Sequence, residues 1–356
     1  MNAQEIRTLA EDVMQIRESG VERNAYVFRG MLYGTAEETM TRLKGALEPF
    51  SMVPLLSQED GGVVLRIGFL KIHKKTSRSS IHLLLFALTV VSTLYAGAAW
   101  ATGNPLVSPV HLVKGVPFSL SILLILGSHE LGHFITSRRS EMDASLPYFI
   151  PFPFVLGTLG AVIRQRSPMP DRNTLLRVGV AGPLVGLAFA LPITVIGLRL
   201  SEAVPLSQVQ GASGYRFGES LLFGLLMRFL MPVTSDSAIL LHPVAIAGWA
   251  GILVTGMNLL PAGQLDGGHV GYAILGRLHK WVARGLLVAL IGLGLWWQGW
   301  WVWAVLLFLF GVQHPPPLDD ITPLGRTERV LGWLCLALFV LTFTPIPLAF
   351  ELQLSV

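Results

Sequence analysis

Residues 127–134 read GSHELGHF and directly follow the apolar run VPFSLSILLIL at residues 116–126. The run has the composition of a membrane span, where an ionisable side chain loses its hydration and needs coordination or pairing to compensate. Two histidines and a glutamate at that depth would be costly without such a partner. The stretch therefore predicts a membrane-embedded helix that carries a functional site.

The composition of the whole chain supports the membrane assignment. Of 356 residues, 52% are hydrophobic and only 13% are charged, whereas soluble proteins carry about 25% charged residues. The formal net charge is +4, but the basic residues flank the apolar segments, which indicates membrane topology and not a nucleic-acid partner. The single cysteine, Cys335, excludes a disulfide within the chain. We expect a multi-pass integral membrane protein in contact with a lipid bilayer.

The first 75 residues predict a small α+β domain on the cytosolic side. The segment YVFRGML at 26–32 is typical of a strand. Thr35 and Glu38 form a capping box that opens the helix AEETMTRLKGALE. SMVPLLS and VVLRIGFL flank EDGG and predict a hairpin. Upstream of them, helical spacing relates the apolar residues Ile6, Leu9, Val13 and Ile16.

Residues 76–356 predict a transmembrane domain, because apolar segments near the ~20 residues that a bilayer requires alternate there with short loops. The predicted spans are 81–101, 115–136, 175–198, 242–260, 281–298, a short segment at 300–312, and 329–349. Residues 217–232 are amphipathic and contain Arg228, which predicts an interfacial helix. The predicted fold class is mainly α, a polytopic helical bundle with a small N-terminal α+β domain.

The basic residues predict the orientation of these spans. Most of them fall in loops on one side of the predicted topology: Lys71, Lys74, Lys75, Arg78, Arg138, Arg139, Arg164, Arg166, Arg172, Arg277, Lys280, Arg284, Arg326 and Arg329. The other side holds Lys114, Arg199, Arg216 and Arg228. By the positive-inside rule, the N-terminal domain is cytosolic.

His129 and His133 have the spacing of a metal site. Residues four apart lie on the same face of a helix, so both imidazoles can reach one Zn²⁺, with Glu130 beside them to act on a water. A hydrolytic zinc site needs a third protein ligand as well. The segment GMNLLPAGQLDGGHV at 256–270 offers Asp266 after a break at Pro261 and Gly263. The predicted topology brings Asp266 to the same membrane depth as the histidines. His269 is the rival ligand, and its alternative role is support by hydrogen bonding.

HELGH within a span, AGPLVG at 181–186 and NLLPAGQLDGG at 258–268 together resemble the site-2 protease family of intramembrane zinc metalloproteases, peptidase family M50. Residues 148–183 are similar to the branch of plastids, cyanobacteria and other prokaryotes that is named for ethylene-dependent gravitropism deficiency. The resemblance implies one Zn²⁺ per chain held by His129, His133 and Asp266, with Glu130 as general base and acid. It also implies that Asn258 faces the active site, although a polar group in a span can equally serve a helix–helix hydrogen bond.

The resemblance implies hydrolysis of peptide bonds in or near the transmembrane segments of membrane-protein substrates. We expect a prokaryotic cell membrane as the location. Two alternatives stay open at this point: a protease-like scaffold without activity, and a metal transporter. The intact Glu130 argues against the former, and the lack of an internal repeat argues against the latter. His111, His242, His279 and His314 are at span ends and are assigned no chemistry. The sequence does not indicate an oligomeric state.

Residues 148–166 are apolar but contain Pro151, Pro153, Gly157 and Gly160, which disfavour a spanning helix. We expect a re-entrant β-hairpin with its turn near VLGT (155–158) and a strand within GAVIRQR (160–166). Its free edge could pair with an unwound substrate segment. A loop that merely covers the active site is the alternative.

Overall fold

The computed structural model describes residues 1–22, 24–59, 61–69, 79–209, 214–231 and 236–351. The protein is mainly helical, with a small N-terminal sheet and three two-stranded sheets among these residues. The basic residues expected at 71, 74, 75 and 78, and the boundary expected between residues 75 and 76, lie outside the described residues.

The N-terminal region combines two helices with an antiparallel sheet of order β1-β2-β4-β3. Its elements are α1 (Ala3–Glu11), β1 (Met14–Glu22), β2 (Ala25–Leu32), α2 (Ala36–Leu47), β3 (Met52–Glu59) and β4 (Gly62–Phe69). The strand at 26–32, the helix with its Thr35–Glu38 capping box, and the pairing of β3 with β4 are confirmed.

The expectation of helical spacing through Ile16 is wrong. Helix α1 ends at Glu11, and Ile16 belongs to β1, where it pairs with Gly30 of β2. The pairing partner is a segment more than ten residues away, so sheet formation overrides the local helical spacing. Ile6 and Leu43 still meet in one core with the inner face of the sheet.

Among the described residues, three helices are long and apolar enough to cross a membrane: α3 (Ser79–Thr102), α5 (Val116–Arg139) and α6 (Arg172–Arg199). They have 24, 24 and 28 residues, which exceeds the ~20 residues needed to cross the hydrocarbon core. They correspond to the first three predicted spans. The short helix α4 (Pro109–Lys114) lies between α3 and α5.

The later predicted spans form shorter helices. After β7 (Glu202–Pro205), α7 (Leu206–Val209) and β8 (Gly214–Phe217), the chain forms α8 (Leu221–Leu230), β9 (Ser237–Leu240), α9 (Pro243–Asn258), α10 (Asp266–Leu275), α11 (His279–Leu293), α12 (Gly299–Phe310), α13 (Arg326–Thr342) and β10 (Leu348–Glu351). Helix α9 ends at Asn258, where the chain turns through Pro261 and Gly263. Because the backbone breaks there, the segment that follows can present a side chain at the depth of α9.

Helices α5, α6 and α9 pack together at the centre of the helical part of the protein. Their contact surfaces are lined with small residues, which allow helices to approach closely in a membrane. A side chain at Gly132 of α5 would meet the backbone oxygen of Ala181 on α6 at 2.7 Å, and one at Gly251 of α9 would meet Ile125 of α5 at 2.8 Å. The close approach fixes the helix that carries HELGH against the two helices that flank it.

The β-pairing of the predicted hairpin is present, while its re-entrant placement stays a prediction. β5 (Tyr148–Pro151) and β6 (Thr158–Val162) pair antiparallel, with Phe149 opposite Ala161. Strand β6 begins two residues earlier than expected and ends at Val162. Gly157, with a φ of +74°, closes the turn against α3. There Ser92 donates a hydrogen bond to the Gly157 carbonyl at 2.6 Å, and the Trp100 indole donates to the Val155 carbonyl at 2.8 Å.

Several loops with basic residues lie on the same side as the N-terminal region. Arg277 is 3.4 Å from Glu59 of β3. The backbone of Leu56, also in β3, hydrogen-bonds to Leu318 and Asp320, which follow α12. Leu318 in turn hydrogen-bonds to Met169, just before α6. The predicted grouping of these loops on one side is therefore consistent with the structure.

Candidate metal centre

His129 and His133 project from one face of α5, one helical turn apart. Their Nε2 atoms are 3.2 Å apart, and the residues are 4% and 6% exposed. The His133 Nδ1 atom lies 2.8 Å from the backbone oxygen of Val178 on α6. A donor hydrogen bond from Nδ1 to a carbonyl fixes the ring and leaves Nε2 free as a metal ligand.

Asp266 is the first residue of α10 and meets both histidines. Its Oδ2 atom is 3.1 Å from Nε2 of His129, and its Oδ1 atom is 3.2 Å from Nε2 of His133. The three residues offer ligand atoms within 4.8 Å of one another. Two imidazole nitrogens and one carboxylate oxygen in a buried position are a donor set that suits Zn²⁺ and leaves a fourth position open.

Gly182 and Gly186 of the AGPLVG segment provide the space for the two histidines. A Cβ at Gly182 would overlap Nε2 of His133, and a Cβ at Gly186 would lie 3.0 Å from Nδ1 of His129. These glycines therefore pack against the helix that carries the histidines. Their contact partners are the imidazole rings themselves.

Glu130 lies beside the cluster and is 5% exposed. It is not part of the three-residue group that could hold a metal. The backbone NH of Ile163, the residue after β6, interacts with its carboxylate. The hairpin therefore ends beside the residue that the sequence predicts as the general base.

Asn258 ends α9 and also reaches the cluster. Its side-chain nitrogen is 3.3 Å from Nε2 of His129. The residue is half-buried. The amide can therefore donate a hydrogen bond within the space next to the ligand atoms, which is the position expected from the sequence.

His269, the rival ligand, has a different partner. Its Nδ1 atom is 2.6 Å from Nε2 of His314, and it does not belong to the group of described residues that could hold a metal. The sequence assigned no chemistry to His314, because no local pattern relates two residues that are 45 positions apart. Of the other histidines, His242 caps α9 and His111 bonds the Asn104 carbonyl.

Comparison with known proteins identifies the family. Residues 117–291 match the family model described as Peptidase family M50. The matched range contains His129, His133, Asn258 and Asp266. No solved structure matches the chain.

Curated plant proteins are similar to most of the chain. The probable zinc metalloprotease EGY2, chloroplastic, of Arabidopsis thaliana is 34% identical over 74% of this chain and 49% of its own length. The probable zinc metalloprotease EGY1, chloroplastic, of the same plant is 32% identical over 75% of this chain and 53% of its own. The corresponding EGY1 protein of rice is 30% identical over 92% and 63%.

The chain thus spans about half the length of the two Arabidopsis relatives. Their names place these relatives in the chloroplast, which argues against the expected prokaryotic cell membrane. The expected multi-pass membrane protein agrees with the long apolar helices.

Proposed function

Because residues 117–291 place this chain in peptidase family M50, we propose that it is an intramembrane zinc metalloprotease. It hydrolyses peptide bonds in or near the transmembrane segments of membrane proteins. The observation that carries this proposal is the convergence of His129, His133 and Asp266 beside Glu130 on helices that lie within the apolar part of the protein.

His129, His133 and Asp266 would hold Zn²⁺, which when bound would supply Lewis acidity for the hydrolysis of an amide. Glu130 takes a proton from the attacking water and later gives it to the leaving amine, the role of a general base and acid. Asn258 donates a hydrogen bond to the carbonyl oxygen as negative charge develops on it. The carbonyl of Val178 holds His133 in the orientation that ligation requires.

The hairpin presents the substrate. A transmembrane helix satisfies its own backbone hydrogen bonds, so it must unwind before a peptide bond becomes accessible. We propose that an unwound segment adds to the free edge of β6, which replaces its lost hydrogen bonds and places it near Glu130. The contact of the Ile163 NH with Glu130 supports this role, because that edge runs directly into the metal centre.

We further propose that the chain is a multi-pass membrane protein with a cytosolic N-terminal region and a re-entrant hairpin. The metal centre then lies near the cytosolic end of α5, since Arg138 and Arg139 follow His133 within six residues.

Cleavage of a single-span model substrate in liposomes tests the activity. We expect the purified protein to produce two fragments, to stop when a zinc chelator is added, and to resume on addition of Zn²⁺. The Glu130→Gln variant should bind Zn²⁺ but not cleave. A protein that binds Zn²⁺ at the cluster yet cleaves none of a panel of membrane substrates would favour the inactive scaffold. Zinc uptake into the liposomes would favour the transporter.

A further inference from the structure

A segment outside the M50 match contacts residues on both sides of Asp266 in the chain. We define the strap as residues 311–322, which follow α12 and make up most of its connection to α13. The backbone NH of Gly263 donates to the Val312 carbonyl at 2.8 Å, and His314 lies 2.6 Å from His269. Gly263 precedes Asp266 by three residues, and His269 follows it by three. The strap therefore holds the chain on both sides of a metal ligand.

A third contact extends this hold along α10. The Tyr272 hydroxyl donates to Asp320 at 3.0 Å. Together with His269, it fixes the first two turns of the helix that Asp266 begins. The cost of the arrangement is visible at His314, where the buried Nδ1 atom has no hydrogen-bond partner among the described residues. An unsatisfied buried nitrogen is unfavourable, and such features are concentrated where the structure serves function.

The other end of the strap belongs to the N-terminal sheet. Leu56 of β3 donates to the Leu318 carbonyl at 2.7 Å and accepts from Asp320 at 3.1 Å. Both polar groups of Leu56 thus face the strap, which continues the sheet beyond β3. The side chain of Leu318 is buried in the core of the N-terminal region, with Leu43 and Leu47.

The two ends are joined by a stiff spacer. Residues 315–317 are three consecutive prolines, whose fixed φ favours the extended polyproline conformation with a rise of about 3.1 Å per residue. Flexible residues at these positions would absorb a displacement of Leu318. Prolines transmit it to His314.

We propose that His314 and the strap position Asp266 for metal binding, so that zinc affinity depends on the docking of the N-terminal region. His314 acts through His269 and is a positioning residue, not a ligand. The inference rests on the proposed zinc site, whose geometry it deepens. One end of the strap pairs with the N-terminal sheet, and the other end contacts His269 near Asp266. The two ends can therefore be tested separately.

The test measures Co²⁺ binding by the metal-stripped full-length protein in detergent, with the visible spectrum as the reporter of ligand geometry. The His314→Leu variant should bind Co²⁺ roughly tenfold or more weakly, the range seen when outer-shell partners of metal ligands are lost, and with an altered spectrum. In His314→Gln the amide can still bond His269, and it should restore most of the affinity and the spectrum. If His314 had only a structural role, the His314→Leu and His314→Gln variants would bind Co²⁺ equally.

The far end is tested by a matched pair of truncations in one core. Leu318→Ala and Leu47→Ala each shorten a leucine side chain in the N-terminal core to a methyl group, but only Leu318 belongs to the strap. We expect Leu318→Ala to weaken Co²⁺ binding and Leu47→Ala to leave it unchanged. Replacing the exposed prolines, Pro315→Gly with Pro316→Gly, should weaken it as well, although no packing is lost.

The outcomes separate the two proposals. If wild-type protein binds no Co²⁺ in a manner that depends on His133, the proposed zinc site fails and this inference fails with it. If wild-type protein binds Co²⁺ and cleaves substrate while the His314→Leu and Leu318→Ala variants bind it equally well, the strap inference alone is wrong. Equal weakening by Leu318→Ala and Leu47→Ala would also overturn it, because general instability would then explain the loss.

Discussion

Gly182, in the middle of α6, lies directly against the imidazole of His133 on α5. A methyl group at this position would overlap Nε2, the nitrogen that points toward Asp266. The residue type is therefore dictated by the space occupied by the ring of His133, which is a ligand in the proposed zinc site. It is not explained by backbone freedom, since Gly182 lies within a helix.

Gly182→Ala should weaken zinc retention, because the added methyl group must displace the ring of His133, a ligand in the proposed site. Gly186→Ala, with a milder approach of 3.0 Å to His129, should retain more zinc. Metal analysis of the purified proteins measures how much zinc each variant retains. Gly285→Ala is the control, since nothing lies within 4 Å of a side chain there. Full zinc in Gly182→Ala would contradict the assigned ligand face.

Substitutions of the proposed ligands and of the proposed base should affect zinc binding and cleavage differently. His129→Ala and His133→Ala should lose both zinc and cleavage, while Glu130→Gln keeps near-stoichiometric zinc and loses cleavage about a hundredfold or more, as expected for a general base. Asp266→Ala should weaken zinc retention. Metal content and cleavage rates are compared on the same preparations. Normal zinc and normal activity in Asp266→Ala would remove it from the site and promote His269.

Proline in β6 tests the pairing of the substrate. The predicted strand GAVIRQR contains Ala161, Val162 and Ile163. The Ile163 NH faces Glu130, so by the alternation of a strand Ala161 faces the free edge and Val162 faces β5. Ala161→Pro should lower the rate of cleavage at least about fivefold, because one hydrogen bond is worth roughly 1 kcal/mol. Zinc content should be unchanged.

Ala161→Val keeps the amide and serves as the matched control for side-chain size. Val162→Pro measures how far the rate of cleavage falls when the pairing of β6 with β5 is lost. A normal rate in Ala161→Pro would mean that the substrate does not pair with this strand, and the unwinding step would belong to another part of the protein.

The orientation can be measured with cysteines and a membrane-impermeant thiol reagent. Cysteines at Ser79 and Ser140 should be labelled only from the cytosolic side, because the basic loops define that side. A cysteine at Ser207, which is exposed in α7, should be labelled only from the other side. Labelling at Ser140 from outside would invert the topology. The native Cys335 is 1% exposed and contributes little background.

The proximity of His129, His133 and Asp266 could be predicted because each of these residues carries a local signal. His129 and His133 are related by helical spacing, and Asp266 follows a helix break marked by Pro261 and Gly263. The strand that contains Ile16 could not be predicted, because its partner at Gly30 decides its conformation. The same holds for His314, whose partner His269 is distant in sequence. Contacts between remote segments leave no periodic pattern.

The turn of the hairpin is anchored to α3 by the hydrogen bonds of Ser92 and Trp100, and a side chain at Gly157 would overlap the backbone of α3. A substrate helix that passed between α3 and the turn would leave two carbonyls unpaired in lipid, each at a cost of several kcal/mol. If the substrate pairs with β6 as proposed, it approaches along the edge of that strand and not between α3 and the turn, which the hydrogen bonds of Ser92 and Trp100 hold together.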